Sequence, residues 1–259
     1  MEISGMIDRP IELVTFDLYD TLVETNPPRW ERFAAALARS GFDVCVDDVL
    51  QADRAGEDHY TIENGRYPIR DRTPEEVQQF RLDQAVAYLE ALGLPTDPET
   101  SRTVQRHFFD ETQRHGQWVY EAFDEVIPVM ESLREHGITR AVISNADRDV
   151  TAFCLRMGFA AHMDLIVTSA LVGWEKPDAR TFYAALEPLE VPPEAALHVG
   201  DQHLSDVKGA RAIGMAAAII DRYGRHDPEE HDALHVSSLT SLVEHVIAWN
   251  ASFAESASR

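Results

Sequence analysis

The chain has 259 residues, 44% of them hydrophobic, with 45 acidic residues against 23 Lys and Arg. That length exceeds what one small core needs and implies one large domain or a core that carries an insert. The formal charge of -22 repels phosphate backbones, which argues against general nucleic-acid binding and requires any anion site to gather positive charge locally.

No apolar run is long enough to span a bilayer, and residues 1–10 lack the basic start and apolar stretch of an export signal. Cys45 and Cys154, far apart, make no disulfide framework and read as packing residues in a reducing, cytoplasmic setting. The expected partner is a small molecule, with neither nucleic acid nor membrane involved, and the expected state is a monomer or homodimer.

In chain order, residues 11–16 form the first short apolar run and predict a buried strand. Residues 28–40, 47–60, 73–92 and 97–114 then read as amphipathic helices with no strand run among them. Thr73-Pro74-Glu75-Glu76 is a helix start, with a cap, a proline in the first turn and early acids, and Asp97-Pro98-Glu99 is similar. Further strands are predicted at 139–143, 165–168, 196–199 and 215–220, and helices at 123–136, 148–157, 178–186 and 206–213. Strands without polar alternation, alternating with helices, predict an α/β doubly wound parallel sheet. The sheet domain takes residues 1–24 and 122–259, and residues 25–121 form a helical insert. Residues 251–259 read as a loose tail.

Four features follow predicted strands, where open α/β sheets bind ligands. Asp17 follows the first strand and can act as a covalent nucleophile, although Asp is also common as a turn residue. Ser144-Asn145 follows residues 139–143 and can hold phosphate oxygens, or simply cap a helix. Lys176, before Pro177, is held off the helix that follows and suits a fixed charge in a cleft, or a solvated loop. Gly200-Asp201 and Asp206 offer two carboxylates, a hard oxygen site suited to Mg²⁺, or a turn and a helix-start charge. Singly, each structural alternative is the simpler one.

Together, Asp17, Ser144, Lys176 and the Asp201 and Asp206 pair, in that order, resemble the motif series of the haloacid dehalogenase-like hydrolases, in the branch with a helical cap inserted after the first motif. The resemblance spans nearly the whole chain and implies a Rossmann-like core with residues 25–121 as the cap. It implies that Asp17 attacks the substrate and forms a covalent intermediate, and that Mg²⁺ is held by Asp17, the Tyr19 carbonyl and Asp201, with Asp206 as ligand or close behind. Ser144 and Asn145 would meet the transferring group, and Lys176 would offset the repulsion between carboxylate and phosphate.

The chain departs from the family's phosphatases two residues after the nucleophile, where they carry an acid/base Asp and this chain has Tyr19. A phenol of pKa about 10 is a poor base at neutral pH. The family's 2-haloacid dehalogenases also have Tyr there, and their halide leaves without a proton. They need no metal, however, and carry small uncharged residues where this chain has Gly200-Asp201. Three readings follow: a Mg²⁺-dependent phosphatase of a small phosphorylated metabolite, which the metal motif favours; a metal-independent dehalogenase; and a non-catalytic binding relative. Asp20 is one residue out of register to replace the missing acid.

Within the insert, Arg54 and Tyr60 are the candidate contacts to a substrate's anionic remainder, set against ordinary surface pairing with neighbouring acids. Trp30 and Trp174 read equally as entrance or packing residues. His198 reads as a strand residue and His203 as a loop residue. Asn250-Ala251-Ser252 fits a glycosylation triplet by chance.

Overall fold

Five of the runs rich in Val, Ile, Leu and Ala become parallel strands because both faces of the sheet they form are covered. The structure, a computed structural model, describes residues 3–114, 119–228 and 232–257. Its strands are β1 (Leu13–Phe16), β2 (Val23–Asn26), β3 (Val119–Ala122), β4 (Thr139–Ser144), β5 (Leu165–Thr168), β6 (Ala196–Gly200), β7 (Ala216–Ile220) and β8 (Leu234–Val236). The chain divides into two units, one of Met1–Glu24 with Ala122–Arg259 and the other of Thr25–Glu121.

The first unit holds a six-stranded sheet in the order β5-β4-β1-β6-β7-β8, with every pairing parallel. β1 is central, and all four of its residues are buried. Successive side chains of a strand point to opposite faces. Leu13 therefore shares a face with Ala141, Ile143, Val167, Ala196, Ala217 and Ile219 in one apolar cluster. That cluster is closed by Phe182 and Ala185 of a helix at Ala179–Leu186, which Asp178 caps by accepting the Arg180 N–H. β2 and β3 pair in a separate two-stranded sheet where the chain leaves and re-enters this unit.

Among its described residues the second unit contains four α-helices: α1 (Arg29–Arg39), α2 (Val46–Arg66), α3 (Pro74–Ala91) and α4 (Pro98–Arg114). α3 starts as predicted, with a capping box between Thr73 and Glu76, and the Asp97 carboxylate accepts the Glu99 and Thr100 N–H groups at the start of α4. Such a cap is worth about 1 kcal/mol. α1, α2 and α3 meet in a buried polar knot. Arg29 forks onto both oxygens of fully buried Asp53, at 2.9 and 2.8 Å, and the Tyr88 hydroxyl donates to Asp53 Oδ1 at 2.7 Å.

Two expectations are corrected. A long helix at Leu239–Ala257 replaces the tail read at residues 251–259, of which 258 and 259 lie outside the described residues. Leu239, Leu242, Val243 and Val246 are buried, and the Asn250 amide bonds both backbone groups of Ile11, at 2.7 and 2.8 Å. Cys45 is exposed rather than packed, while Cys154 is buried and its thiol is pushed up to about 11 by that burial. Trp30 is buried, whereas Trp174 is exposed beneath the Arg180 guanidinium. No helix among the described residues is long and apolar enough to cross a membrane.

Candidate active site

The register of three neighbouring strands brings the predicted residues together. Phe16 stands opposite Val142 of β4 and Val199 of β6. Asp17 is therefore one step past the end of β1, flanked by Ser144 at the end of β4 and Asp201 just past β6. The Asp17 N–H donates to the Val199 carbonyl at 2.8 Å and fixes this position. Chain connections diverge to either side of β1, so the cluster lies at the carboxyl edge where the strand order reverses.

Lys176 is almost fully buried, which removes the solvated-loop alternative. Its ammonium donates to Asp17 Oδ1 and to Asp206 Oδ1, each at 2.6 Å. Asn145 clamps the Lys176 backbone from both sides: its Nδ2 donates to the Lys176 carbonyl at 2.9 Å and its Oδ1 accepts the Lys176 N–H at 2.8 Å. Asn145 thus holds the lysine loop, a role its sequence position did not suggest.

Asp206 does not open a plain α-helix. It sits in a π-helical turn at His203–Val207, ahead of the α-helix Lys208–Ala212. Its Oδ2 accepts the Gln202 N–H at 3.0 Å, and its Oδ1 faces both Lys176 and His198 Nε2, the latter at 3.1 Å. Gly200 lets this carboxylate pack over the end of β6, since a Cβ there would overlap the Asp206 side chain. His198 is fully buried in β6, edge-on to Phe182, and its Nδ1 lies 2.8 Å from the Thr15 hydroxyl.

Burial raises the cost of every charge here, and the partners then sort the carboxylates. Burial lifts Asp17 to about 6, with Lys176 opposing and Asp206 adding to the rise. Asp206 feels the same burial, but Lys176 and His198 outweigh it and hold it well below the usual carboxylate range. Burial works against the Lys176 charge, yet Asp17 and Asp206 raise its pKa above the ordinary value. One ammonium serves two carboxylates, and Asp206, with the extra donors, is the better served.

Asp201 has a cation that the sequence reading missed. Arg225 Nη2 donates to Asp201 Oδ2 at 2.8 Å, and His226 Nε2 lies 2.8 Å from the Asp201 carbonyl. Both residues sit in the loop after β7, where Asp221 accepts the backbone N–H groups of Arg225 and His226, at 2.8 and 3.0 Å. The available signal was position: Asp221-Arg222-Tyr223-Gly224-Arg225-His226 follows a predicted strand just as the four recognised features do. Burial still holds the Asp201 carboxyl well above its ordinary value, with Arg225 opposing and Asp20, Asp17 and Asp206 adding to the rise.

Ser144 Oγ and Asp201 Oδ1 are buried here and have no protein partner among the described residues. Asp17, Asp201 and Asp206 each offer an oxygen within 4.8 Å of the others. A hard cation suits that donor set, because it satisfies the orphaned oxygen and relieves the like-charge crowding. Asp206 fits a supporting place better than a ligand's, since both its oxygens already accept protein donors. Tyr19, half-buried, packs its ring against Phe153 with centroids 5.9 Å apart. Asp20 adopts a left-handed conformation, with φ 57°.

The insert candidates belong to the other unit. Arg54 pairs with Asp58 at 3.9 Å, and Tyr60 stacks edge-on against Phe80 with centroids 5.4 Å apart.

A parallel sheet with an aspartate just past its central strand, a buried lysine and paired carboxylates at its switch point fits a hydrolase of the haloacid dehalogenase-like class. A model of that family, described as haloacid dehalogenase-like hydrolase, matches residues 11–214, and the chain belongs to it. Haloacid dehalogenase-like hydrolase domain-containing protein 3 of Homo sapiens is 26% identical over 238 residues, covering 92% of each chain. A phosphoserine phosphatase of Thermus thermophilus is 36% identical over 147 residues, 56% of this chain and 57% of its own. Among solved structures, the 2-haloacid dehalogenase of Pseudomonas syringae pv. Tomato DC3000 aligns with a TM-score of 0.53 at 28% identity, over 92% of this chain and 99% of that one.

Proposed function

We propose that the protein is a Mg²⁺-dependent phosphatase of small phosphorylated metabolites. The observation that carries this reading is Asp201 Oδ1, a buried carboxylate oxygen without a protein partner beside Asp17. A metal-free dehalogenase has no use for that acid. The Thermus thermophilus relative, a phosphoserine phosphatase by name, supports the same choice.

Asp17, the Tyr19 carbonyl and Asp201 would hold Mg²⁺, which supplies charge neutralisation at the phosphoryl oxygens. Asp17 attacks phosphorus, the bond to the leaving oxygen breaks, and a covalent aspartyl-phosphate forms. Lys176 keeps the nucleophile anionic and offsets its repulsion from the phosphate. Ser144 Oγ, lacking a protein partner, is available to donate to a phosphoryl oxygen. Water then hydrolyses the acyl phosphate and frees Asp17. Substrate choice falls to the insert, read as the cap, with Arg54 and Tyr60 as its candidate contacts. The free thiols of Cys45 and Cys154 suit a cytoplasmic setting.

Tyr19 stands where an acid would protonate the leaving group, so good leaving groups are preferred. Aryl and acyl phosphates should turn over faster than alkyl esters, with release of phosphate abolished by chelator and restored by Mg²⁺. Equal rates on both substrate classes would sink the leaving-group argument.

A second reading, a 2-haloacid dehalogenase, draws on Tyr19 and on Arg225, which already gives Asp201 a counter-charge without metal. Halide release from a 2-haloacid that is insensitive to chelator would select it.

A further inference from the structure

Arg225 has no place in the phosphatase reading as it stands, yet the fold is built to deliver it. Its side chain is 5% exposed and that of Asp201 is 2% exposed, so neither charge has appreciable water. A guanidinium stays charged at any physiological pH and is costly to bury without a partner. Asp221 gathers the backbone N–H groups of residues 225 and 226, which aims Arg225 back toward β6. His226 reaches the Asp201 carbonyl, and a carbonyl only accepts, so Nε2 carries the hydrogen there. One loop therefore grips both the backbone and the side chain of Asp201.

The charges explain what the grip does. Asp17, Asp20, Asp201 and Asp206 face Lys176 and Arg225, which leaves a negative excess. A divalent ion entering beside both side-chain cations would cancel that excess and share Asp201 with a guanidinium. Like charges a few ångströms apart in a poorly solvated site repel strongly.

We propose that Arg225 is an internal counter-ion that occupies Asp201 in the metal-free protein and competes with Mg²⁺ for it, so that this residue sets the metal affinity. The inference rests on the Mg²⁺ reading above. It makes metal binding an exchange of one cation for another, with the loop of residues 221–226 shifting as the ion enters. Without metal the guanidinium keeps the fold intact; with metal its hold on Asp201 is released.

Binding of Mn²⁺, followed by the electron paramagnetic resonance signal of the free ion, tests this on the full chain without substrate. Arg225→Gln should bind Mn²⁺ at least about tenfold more tightly than the wild type, and Arg225→Lys, which keeps the charge, should stay near it. Arg225→Gln should also melt lower without metal and gain more in Tm when metal is added. Equal or weaker Mn²⁺ binding by Arg225→Gln, with unchanged circular dichroism, overturns the proposal and leaves the metal site standing. No Mn²⁺ binding by either protein overturns both. Should Arg225→Gln not fold, ¹⁵N-arginine spectra of the wild type decide: the Arg225 Nε–H resonance must shift on Mg²⁺ addition, and an unmoved resonance refutes the exchange.

Discussion

The Thr15 hydroxyl lies 2.8 Å from His198 Nδ1 and is the partner of that ring nitrogen inside the sheet. The other nitrogen, Nε2, faces the Asp206 carboxylate at 3.1 Å, and an ionised carboxylate only accepts. Nε2 therefore bears the hydrogen, and Nδ1 accepts from Thr15. Burial lowers the ring's pKa and keeps it neutral, against the pull of Asp206. The hydroxyl's second neighbour, the Leu197 carbonyl at 3.4 Å, is too distant to compete. Thr15→Val keeps the branched shape and removes the donor, leaving a buried nitrogen unpaired. The expected cost is about 1–3 kcal/mol in urea unfolding, with the imidazole ¹⁵N shifts moving away from a pure Nε2–H tautomer. A variant with the wild-type midpoint and unchanged shifts would show that the contact does nothing.

Acid should disarm Asp17, the proposed nucleophile. Asp17 is raised to about 6, first by burial, so in metal-free protein it is anionic only above that pH. Its unfolded value is about 3.9. A carboxyl raised on folding makes the metal-free fold progressively less stable as pH climbs from the unfolded value through about 6, and this group's penalty is then complete. At limiting metal, kcat/KM should fall on acidification with a limb centred near 6, and saturating Mg²⁺ should move the limb to lower pH. Lys176→Met should move it to higher pH, because Lys176 opposes the rise. A flat profile between about pH 5 and pH 7 at limiting metal would contradict this assignment.

Gly56 marks a tight passage between α2 and α3 in the second unit. A Cβ there would run into the Tyr88 ring, whose hydroxyl holds Asp53. Gly56→Ala should therefore cost about 1–3 kcal/mol through overpacking, against the small gain usual for Gly→Ala inside a helix. Thermal unfolding followed by near-ultraviolet circular dichroism of the tyrosines measures it, and a raised Tm would show that the helices adjust freely.

The central strands were readable because burial on both faces makes Val, Ile, Leu and Ala dominate them, a composition visible without any partner. β8 was not, since it has three residues and His235 at its centre, and β2 was not, since Val-Glu-Thr-Asn has no apolar pattern. Both depend on neighbours that no local window contains. The helix ending at Ala257 was misread from residue 251 because its anchors, Leu242 and Val246, precede that point and Asn250 bonds a strand far away in sequence. In the site, Asp17, Ser144 and Asp201, at or just past the ends of three neighbouring strands, were legible. Arg225 was not, because it reaches Asp201 across 24 positions through a turn whose charges look like ordinary solvated ones. The clamp of Asn145 on Lys176 was hidden for the same reason, spanning 31 positions.

The polar chain from Thr15 through His198, Asp206 and Lys176 to Asp17 closes entirely among residues of Met1–Glu24 and Ala122–Arg259. None of its hydrogen bonds is borrowed from Thr25–Glu121. With the insert proposed as the part that selects substrate, recombination at residues 24 and 122 would exchange it wholesale, and a lineage would inherit this polar chain unaltered while that selection changed.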